Sequence, residues 1–417
     1  MAKYGFISFS SLLFLLLSGF TITASSAPIG INYGQIADNL PSPESVVPLL
    51  RSIGVGKVKL YDADPRVLRA FADTGIEFVV GLANDCLSKV RDPSKAVNWI
   101  KSNVVPYLPA TKITSITVGN EILTSNDTAM IENLLPAMKG MQSALQTLGL
   151  SKQITITTAH SLAVLETSYP PSAGSFRSNM VPYISPILNF HAKTGSQFLI
   201  NAYPYFAYKA NPKQVQLDFV LFQPNRGVID PVSNLKYDNM LFAQIDAVYA
   251  ALATLGYGRL RLQISETGWP SKGDENEAGA TLENARKYNG NLMRVMMEKK
   301  GTPMRPKDEL DVYVFALFNE NLKPGPASER NYGLFKPDGT PAYQLGIGAV
   351  NGSSSSDGNG GSGGDVGVGA VTPSPEGTTT GYFTISAAEG KLRFGGVGLC
   401  LQQGVPWACL SLILLLF

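Results

Sequence analysis

Three apolar stretches of this sequence each lead to a glutamate, in positions where a carboxylate could do chemistry. The glutamates are Glu121, Glu266 and Glu320. Around Glu266 the chain reads LQISETGWPSK over residues 262–272, so alternating apolar residues lead to the acid before glycine and proline break the strand. Three acids meeting on one rim are hard to explain by stability, because like charges placed close together cost energy.

Two carboxylates that face one cleft, without a metal or cofactor motif, predict glycoside hydrolysis. One acid must be protonated to assist the leaving oxygen, and the other must be ionised to attack the anomeric carbon or activate water. We favour Glu121 and Glu266 as this pair. Structural interpretations also stay open, since Glu266 could cap the following helix and Glu320 could form an ordinary ion pair with Lys323.

Side chains that could hold a sugar lie beside the same acids. Flat aromatic faces stack on pyranose rings and amides bind hydroxyl groups, which makes candidates of Tyr33, Tyr203, Phe206, Trp269 and Asn120. Tyr203, Phe206 and Trp269 could instead pack in the core. Asn120 could equally belong to a turn.

Strands that alternate with helices must position these side chains. The sequence predicts eight strands, at 29–33, 58–61, 77–82, 115–118, 153–158, 198–202, 261–265 and 311–318. Helical periodicity predicts helices at 45–52, 66–73, 93–103, 129–148, 239–255 and 282–299. The pattern predicts an α/β fold with a single catalytic domain, a (β/α)8 TIM barrel, because parallel strands need crossover connections. A doubly wound open sheet is the alternative, but no glycine-rich phosphate fingerprint follows the first strand.

In such a barrel, functional side chains lie at the carboxyl ends of the strands. Glu121 comes after the fourth predicted strand, Glu266 after the seventh and Glu320 after the eighth. The three acids are therefore expected on one rim, together with the aromatic and amide candidates.

The amino-terminal segment is typical of a secretory signal peptide. Residues 1–26 contain a lysine, an apolar run and then small residues, and cleavage is expected before Ala27. The expected catalytic domain is 27–350. A linker rich in Gly, Ser, Thr and Pro follows at 351–386, because such a composition cannot bury enough apolar area to order itself.

The carboxyl-terminal segment, 387–417, has a polar spacer and an apolar end, which predicts a glycosylphosphatidylinositol (GPI) anchor signal. The expected attachment residue is Ser386, with 395–396 as the alternative. A tail-anchored helix is the other interpretation, but the apolar end is shorter than the roughly 20 residues that span a bilayer. We therefore expect a secreted protein that its lipid anchor holds on the outer face of the plasma membrane.

The charge and the cysteine and histidine content limit the classes of function that this chain could have. The two removed ends carry three of the 34 basic and one of the 32 acidic residues, so the mature chain has no net charge and no electrostatic case for nucleic acid. Cys86 is the one cysteine outside those ends and is expected to be a small buried hydrophobe. His160 and His191 lack neighbours at metal-ligand spacing, so neither a metal nor a cofactor is expected. Asn126 and Asn351 begin N-glycosylation motifs.

Five motifs, in order along 27–346, resemble the plant endo-1,3-β-glucanases of glycoside hydrolase family 17. They are IGINYG at 29–34, VGNE at 118–121, NAYPYF at 201–206, ETGWP at 266–270 and FNENLK at 318–323. The resemblance implies a (β/α)8 barrel and a retaining mechanism on β-1,3-glucan such as callose. Carried over by position, it implies that Glu266 is the nucleophile and Glu121 the general acid/base.

The resemblance also implies roles for further residues. Tyr203 would lie close to the nucleophile, and the supporting cleft residues would be Glu320, Lys323 and Glu329. The chain departs from many relatives at Asn32, where they have cysteine. It also lacks the Cys-rich glucan-binding module that many anchored relatives carry after the linker, so the cleft alone would have to grip insoluble glucan.

Several alternatives stay open. The chain could be a β-1,3-glucan transglycosylase that uses the same acids, or a silent glucan-binding protein, and it could prefer mixed 1,3;1,4-linkages. Glu320 or Glu329 could replace Glu121 as the acid opposite Glu266. Retention predicts carboxyl groups about 5–5.5 Å apart. We expect a monomer.

Overall fold

The computed structural model of the protein describes residues 29–345. The predicted signal peptide (1–26), linker (351–386) and anchor signal (387–417) lie outside the described residues, as do Asn351 and Ser386. These predictions therefore stay predictions.

Eight parallel strands close into a barrel, in which each strand pairs with its neighbours along the chain. The strands are β1 (Ile29–Asn32), β2 (Val55–Lys59), β3 (Glu77–Leu82), β4 (Lys112–Asn120), β5 (Thr155–Ser161), β6 (Phe198–Asn201), β7 (Leu262–Thr267) and β8 (Asp311–Val314). The pairing of Ile29 with Val312 and of Ile31 with Val314 closes the barrel between β1 and β8. All eight predicted strands are present, and the predicted (β/α)8 fold is confirmed.

The last strand is shorter than the predicted 311–318, because the regular ladder with β1 and β7 ends at Val314 and the backbone after it bonds alternately to the strands and to a later loop. The Ala316 amide donates to the Tyr332 carbonyl, and the Leu317 amide donates to the Asn32 carbonyl. Glu320 consequently lies on the loop that follows β8 and does not end a strand. The prediction that this acid stands at a strand end is wrong, although the loop still leaves the carboxyl end of the barrel.

Helices connect the strands around the outside of the barrel. The α-helices are Pro43–Ser52, Pro65–Ala70, Leu87–Val90, Pro93–Asn103, Thr128–Thr147, Val181–Thr194, Pro204–Ala210, Leu217–Val220, Met240–Thr254 and Leu282–Met297. Side chains at their starts satisfy free amides, as when Asp92 accepts from the Ser94 amide and Asp127 from the Met130 amide. The six predicted helices are confirmed within a few residues at each end.

One helix is covered on its outer side as well as its inner side. Met240–Thr254 has nearly every residue buried, because the short strands Leu165–Thr167 and Ser175–Phe176 and the turn between them pack over it. A Cβ at Gly174 would lie 2.0 Å from the Ala247 carbonyl oxygen, so this close approach requires glycine. The hydrophobic character of the helix all round follows from this double coverage.

Two histidines lie inside the protein beside one phenylalanine. His160 on β5 stacks on the Phe198 ring at 4.8 Å, and His191 meets the same ring edge-on at 6.1 Å. The Nδ1 atom of His191 shares a 2.8 Å hydrogen bond with Ser196. Burial lowers the pKa of both imidazoles to about 3. Both rings are therefore neutral in the folded protein over the whole mildly acidic range.

Stability is expected to fall steeply as the pH drops from about 6.5 toward about 3, because the unfolded chain gains protons that folded His160 and His191 cannot accept. Each histidine contributes up to about 1.4 kcal/mol per pH unit. Replacing His160 with phenylalanine, which keeps a ring against Phe198, should reduce the slope by that amount. Urea unfolding between pH 7 and pH 4.5 measures it. Parallel stability curves for the two proteins would contradict the prediction.

Candidate active site

Strand β7 carries Glu266 into the mouth of the barrel, where three donors surround its carboxylate. Lys59 Nζ lies 3.1 Å and the Tyr61 hydroxyl 2.7 Å from Oε1, and the Tyr203 hydroxyl lies 2.9 Å from Oε2. Glu266 is 6% exposed. An ammonium group and two phenols are hydrogen-bond donors directed at both carboxylate oxygens, so they hold Glu266 in one orientation.

Lys59, at the end of β2, is a site residue that the sequence analysis missed. The ammonium group is 1% exposed, pairs with Glu266 and lies 4.1 Å from the centre of the Tyr61 ring. Burial lowers the pKa of Lys59, and the Glu266 carboxylate opposes that shift. Lys57, two positions earlier on the same strand and therefore on the same face, pairs with Asp311 at 3.2 Å.

Glu121 directly follows β4 in an unusual backbone conformation. Its φ and ψ angles are 56° and 29°, in the left-handed region, and Gly119 two residues earlier has a φ of 70°. The glutamate is partly buried. Burial, and then the negative charge of Glu266, raise the pKa of Glu121 to about 7. Glu121 is therefore protonated in mildly acidic solution, unlike an ordinary surface glutamate.

The side chain of Asn201, at the end of β6, links the two acids. Its Nδ2 atom donates to Glu121 Oε1 at 3.0 Å, and its Oδ1 atom accepts a 2.6 Å hydrogen bond from Ser265, the residue before Glu266. Asn201 is also the register partner of Glu266 between β6 and β7. The Oδ1 atom of Asn120, a residue predicted to bind a sugar hydroxyl, lies 3.5 Å from the side-chain Nδ2 atom of Asn201. The structure thus brings Glu121, Glu266 and Asn120 to one place.

Glu320 is buried behind these acids and supports the loop after β1. It is 3% exposed, and its Oε1 atom accepts a 2.8 Å hydrogen bond from the Ile36 amide. Burial raises its pKa, and Lys323 opposes the shift. A Cβ at Gly34 would lie 2.5 Å from both Glu320 carboxylate oxygens, so the loop can pass here only with glycine.

Lys323 and Glu329 form a second lysine–glutamate pair beside Glu320, at 3.4 Å. The Lys323 ammonium is 4% exposed and lies 4.1 Å from the centre of the Phe315 ring. The negative charges of Glu329 and Glu266 both help to raise the pKa of Glu320. The three predicted supporting residues therefore share one electrostatic neighbourhood with the predicted nucleophile.

Tyr203 and Phe206 remain partly exposed at the rim, with ring centres 5.2 Å apart. Tyr203 also contacts Glu266 directly, as described above. Tyr33 is placed differently: it is 2% exposed and packs edge-on against Phe318 at 5.9 Å. Tyr203 and Phe206 therefore present surface to the cleft, whereas Tyr33 supports its wall.

The predicted sugar-stacking role of Trp269 is wrong. The indole is completely buried, with Tyr205 at 5.2 Å and Tyr288 at 5.5 Å between ring centres. Its Nε1 atom donates to the Gly279 carbonyl at 2.8 Å, which satisfies its polar atom inside the core. Trp269 fixes the end of β7 by packing and offers no face to a substrate.

Two loops at the rim are joined by a buried carboxylate, in an arrangement called here the Glu277 clamp. Glu277 accepts hydrogen bonds from Lys209 Nζ at 3.2 Å, the Asp274 amide at 3.0 Å, and the Ser328 amide and hydroxyl at 2.9 and 2.6 Å. Asp274 in turn accepts from the Ala327 amide at 2.9 Å. The clamp ties the loop after β7 to the loop that carries Glu329.

Other sequence predictions can be placed on the same structure. Asn126 is exposed just before the helix Thr128–Thr147, and Cys86 is buried. Among residues 29–345, no group of three or more His, Cys, Asp or Glu side chains could hold a metal ion. The same part of the chain contains no helix with the length and apolar character needed to cross a membrane.

Comparison with known proteins identifies the family. The sequence profile of glycosyl hydrolases family 17 matches residues 29–347. Glucan endo-1,3-beta-glucosidase 11 of Arabidopsis thaliana is 64% identical over 341 residues, which cover 81% of this chain and 80% of that protein. Glucan endo-1,3-beta-glucosidase 10 of the same plant is 60% identical over 350 residues, or 83% and 82% of the two chains. Among solved structures, a beta-1,3-glucanase and pollen allergen of Cryptomeria japonica is 41% identical with a TM-score of 0.74, over 78% of this chain and 99% of that one. The chain therefore belongs to glycosyl hydrolases family 17.

Proposed function

We propose that this protein hydrolyses internal bonds of 1,3-β-glucan by double displacement, with retention of anomeric configuration. One observation carries the mechanism: two glutamates at one cleft have opposite electrostatic surroundings. Glu266 accepts hydrogen bonds from a cation and two phenols, whereas burial and a neighbouring negative charge raise the pKa of Glu121 to about 7. Family membership and relatives named glucan endo-1,3-beta-glucosidase support the substrate class.

In the first step, Glu121 donates its proton to the glycosidic oxygen and a Glu266 oxygen attacks the anomeric carbon. The bond to the leaving glucan breaks, and a covalent glycosyl ester forms. Lys59, Tyr61 and Tyr203 hold the carboxylate in place before the attack. The expected carboxyl separation of about 5–5.5 Å stays a prediction of this scheme.

In the second step, Glu121 removes a proton from water, which attacks the anomeric carbon and releases Glu266 as a carboxylate. Formation of the ester removes the negative charge of Glu266, which is the second largest cause of the raised pKa of Glu121. The pKa of Glu121 therefore falls in the intermediate, as the change from acid to base requires. Asn201 contacts Glu121 throughout and keeps its carboxyl group oriented.

The surrounding side chains suit a neutral polysaccharide. Tyr203 and Phe206 offer partly exposed rings for stacking, and Asn120 places an amide beside Glu121. Glu320 and Lys323, which are buried, and Glu329, which is partly buried, fix the rim loops and set the local charge.

A time course of products from linear 1,3-glucan, run beside mixed-linkage 1,3;1,4-glucan, tests this function. We expect short oligosaccharides from the linear glucan, with the β-anomer detected first by NMR. Early α-anomer would contradict retention, and lengthened oligosaccharides would indicate a transglycosylase. Unchanged glucan would indicate a binding protein, and faster breakdown of the mixed-linkage polymer would contradict the assigned linkage.

We also propose that the mature protein is a monomer held outside the plasma membrane by a GPI anchor at Ser386. The signal-like composition of residues 1–26 and 387–417 supports this location. Treatment of intact membranes with a phosphatidylinositol-specific phospholipase should release active enzyme. Enzyme that stays membrane-bound after this treatment would contradict the anchor, and light scattering of the released form would measure its mass.

A further inference from the structure

The backbone that presents Glu121 departs from regular strand geometry, and a side chain from another loop compensates for the departure. Between β4 and β5 the register shifts after Thr117, so that Asn120 pairs with Ala159. One extra residue in β4 makes this a bulge, and Gly119 supplies the left-handed φ of 70° that it needs. The bulge turns the chain so that Glu121 follows it in a left-handed conformation of its own.

On the other side of β4, the strand β3 has already ended. The last register pair between the two strands is Leu82 with Val118, so the backbone of Asn120 extends beyond the β3 ladder. The side chain of Asn84 occupies the place where the ladder would continue. Its Oδ1 atom accepts a 2.9 Å hydrogen bond from the Asn120 amide, and its Nδ2 atom donates to the Asn120 carbonyl at 3.3 Å.

A carboxamide has the same donor and acceptor groups as a peptide, so it can imitate a strand neighbour. Asn84 therefore satisfies both backbone groups of the residue that precedes Glu121. Left-handed backbone is unfavourable for a non-glycine residue, and such a conformation persists only where surrounding contacts fix it. Other backbone contacts also fix Glu121: its amide donates to the Ala159 carbonyl at 2.8 Å, and its carbonyl accepts from the Thr124 amide at 3.2 Å and the Thr124 hydroxyl at 3.0 Å.

We propose that Asn84 is a positioning residue for catalysis: its carboxamide holds the bulged end of β4 so that the Glu121 carboxyl group meets the glycosidic oxygen. The inference rests on the proposed role of Glu121 as acid/base. Asn84 itself needs no contact with substrate. Its effect on the reaction is therefore confined to the steps in which Glu121 moves a proton.

Because only the proton-transfer steps should be affected, substrates that do and do not need protonation can distinguish this role from a general loss of stability. A natural glucan leaving group must be protonated as it departs, whereas 2,4-dinitrophenolate departs without help. We expect Asn84→Leu, which removes both hydrogen bonds at similar volume, to lower kcat/KM on 1,3-glucan by about 10–100-fold. On 2,4-dinitrophenyl β-laminaribioside the same variant should lose at most about threefold.

Asn84→Asp is the second variant, for use if the leucine variant does not fold. It keeps the acceptor for the Asn120 amide but replaces the donor to the Asn120 carbonyl with a second oxygen. A selective loss on glucan is again expected. Asp85→Asn is the matched control, because Asp85 lies next in the same loop with an exposed side chain, and it should keep both activities.

Equal losses on the two substrates, or no loss on glucan, would overturn the positioning role of Asn84. Glu121→Ala distinguishes this failure from failure of the proposed function. If Glu121→Ala shows the selective loss and the Asn84 variants do not, only the inference on Asn84 is wrong. If Glu121→Ala lacks the selective loss, Glu121 is not the acid, and both proposals fall.

Discussion

Replacing Glu266 with glutamine is expected to lower kcat/KM on 1,3-glucan by at least about 10⁴-fold while the barrel stays folded. An amide cannot form the glycosyl ester, so the first step is lost. Glutamine keeps the shape of the side chain and an oxygen that accepts from Lys59 and Tyr61, so most packing survives. Initial rates on linear 1,3-glucan, with circular dichroism as a check of folding, measure the effect.

The charge of Lys59 limits the stability of this variant, because breaking one side of a buried ion pair costs about 3–5 kcal/mol when the partner charge remains. Glu121 reduces that cost in the variant: the loss of the Glu266 charge lowers the pKa of Glu121, and Glu121 already interacts electrostatically with Lys59. Glu275→Gln, on the exposed loop after β7, is the matched control and should retain full activity. Turnover above about a tenth of normal in Glu266→Gln would mean that another residue is the nucleophile.

A covalent trap checks the same assignment without relying on a rate. A 2-deoxy-2-fluoro laminaribiosyl fluoride has a good leaving group, but its fluorine at C2 slows both steps because it disfavours positive charge at the anomeric carbon. The glycosyl ester should therefore accumulate on Glu266. Mass spectrometry of peptides should locate the label there in the normal protein and find none in Glu266→Gln. A label on Glu320 or Glu329 would contradict the assignment.

Replacing Glu121 with alanine is expected to lower kcat/KM on 1,3-glucan by about 10²–10⁴-fold, since general acid catalysis is lost. The loss should be far smaller on 2,4-dinitrophenyl β-laminaribioside, whose leaving group needs no proton. Turnover of that substrate should then stall at the ester, because water lacks its general base. Azide, which needs no base, should restore turnover and yield a β-glycosyl azide. An α-azide, or no rescue, would contradict this role.

The pH dependence gives the second measurement on Glu121. Only the protonated form can serve as the acid, so kcat/KM on glucan should fall as the pH rises through about 7. This basic limb should disappear in Glu121→Gln, whose residual activity does not depend on that proton. A limb that survives in Glu121→Gln would indicate Glu320 or Glu329 as the acid. Because folding disfavours ionised Glu121, the stability of Glu121→Gln relative to the unsubstituted protein should be about 1–3 kcal/mol greater at pH 8 than at pH 5.

The barrel could be predicted from sequence because its strands are short apolar runs that alternate with periodic helices. The helix Val181–Thr194 was missed because Pro182 and Pro186 interrupt its pattern, although proline is tolerated in a first turn and packing holds the rest. The end of β8 was misplaced for a different reason. Residues 315–318 remain apolar and buried, and only their irregular hydrogen-bond pattern separates them from the strand.

The candidate site was predictable where an acid stands at a strand end, and unpredictable where a residue enters the site only through burial on closure of the barrel. Glu121 directly follows β4 and Glu266 is the last residue but one of β7, so topology alone brings them to one rim. In the sequence, Lys59 cannot be distinguished from an ordinary surface lysine, because only closure of the barrel removes its access to water. Trp269 was wrongly predicted to belong to the site, because it lies only three residues after Glu266 in the sequence. In the structure its side chain is buried in the core.

The Glu277 clamp has a consequence for anyone who wishes to re-engineer the cleft. Because Glu277 and Asp274 bind backbone amides at Ser328 and Ala327, the loops after β7 and β8 form one exchangeable module together with Lys209. A loop graft that replaces residues 321–331 alone would put at risk the two hydrogen bonds that the buried Glu277 carboxylate accepts from Ser328. A chimera that transfers 271–280 and 321–331 together with Lys209 preserves every hydrogen-bond partner of Glu277. The unit to exchange between relatives is therefore made of segments that are separate in the sequence.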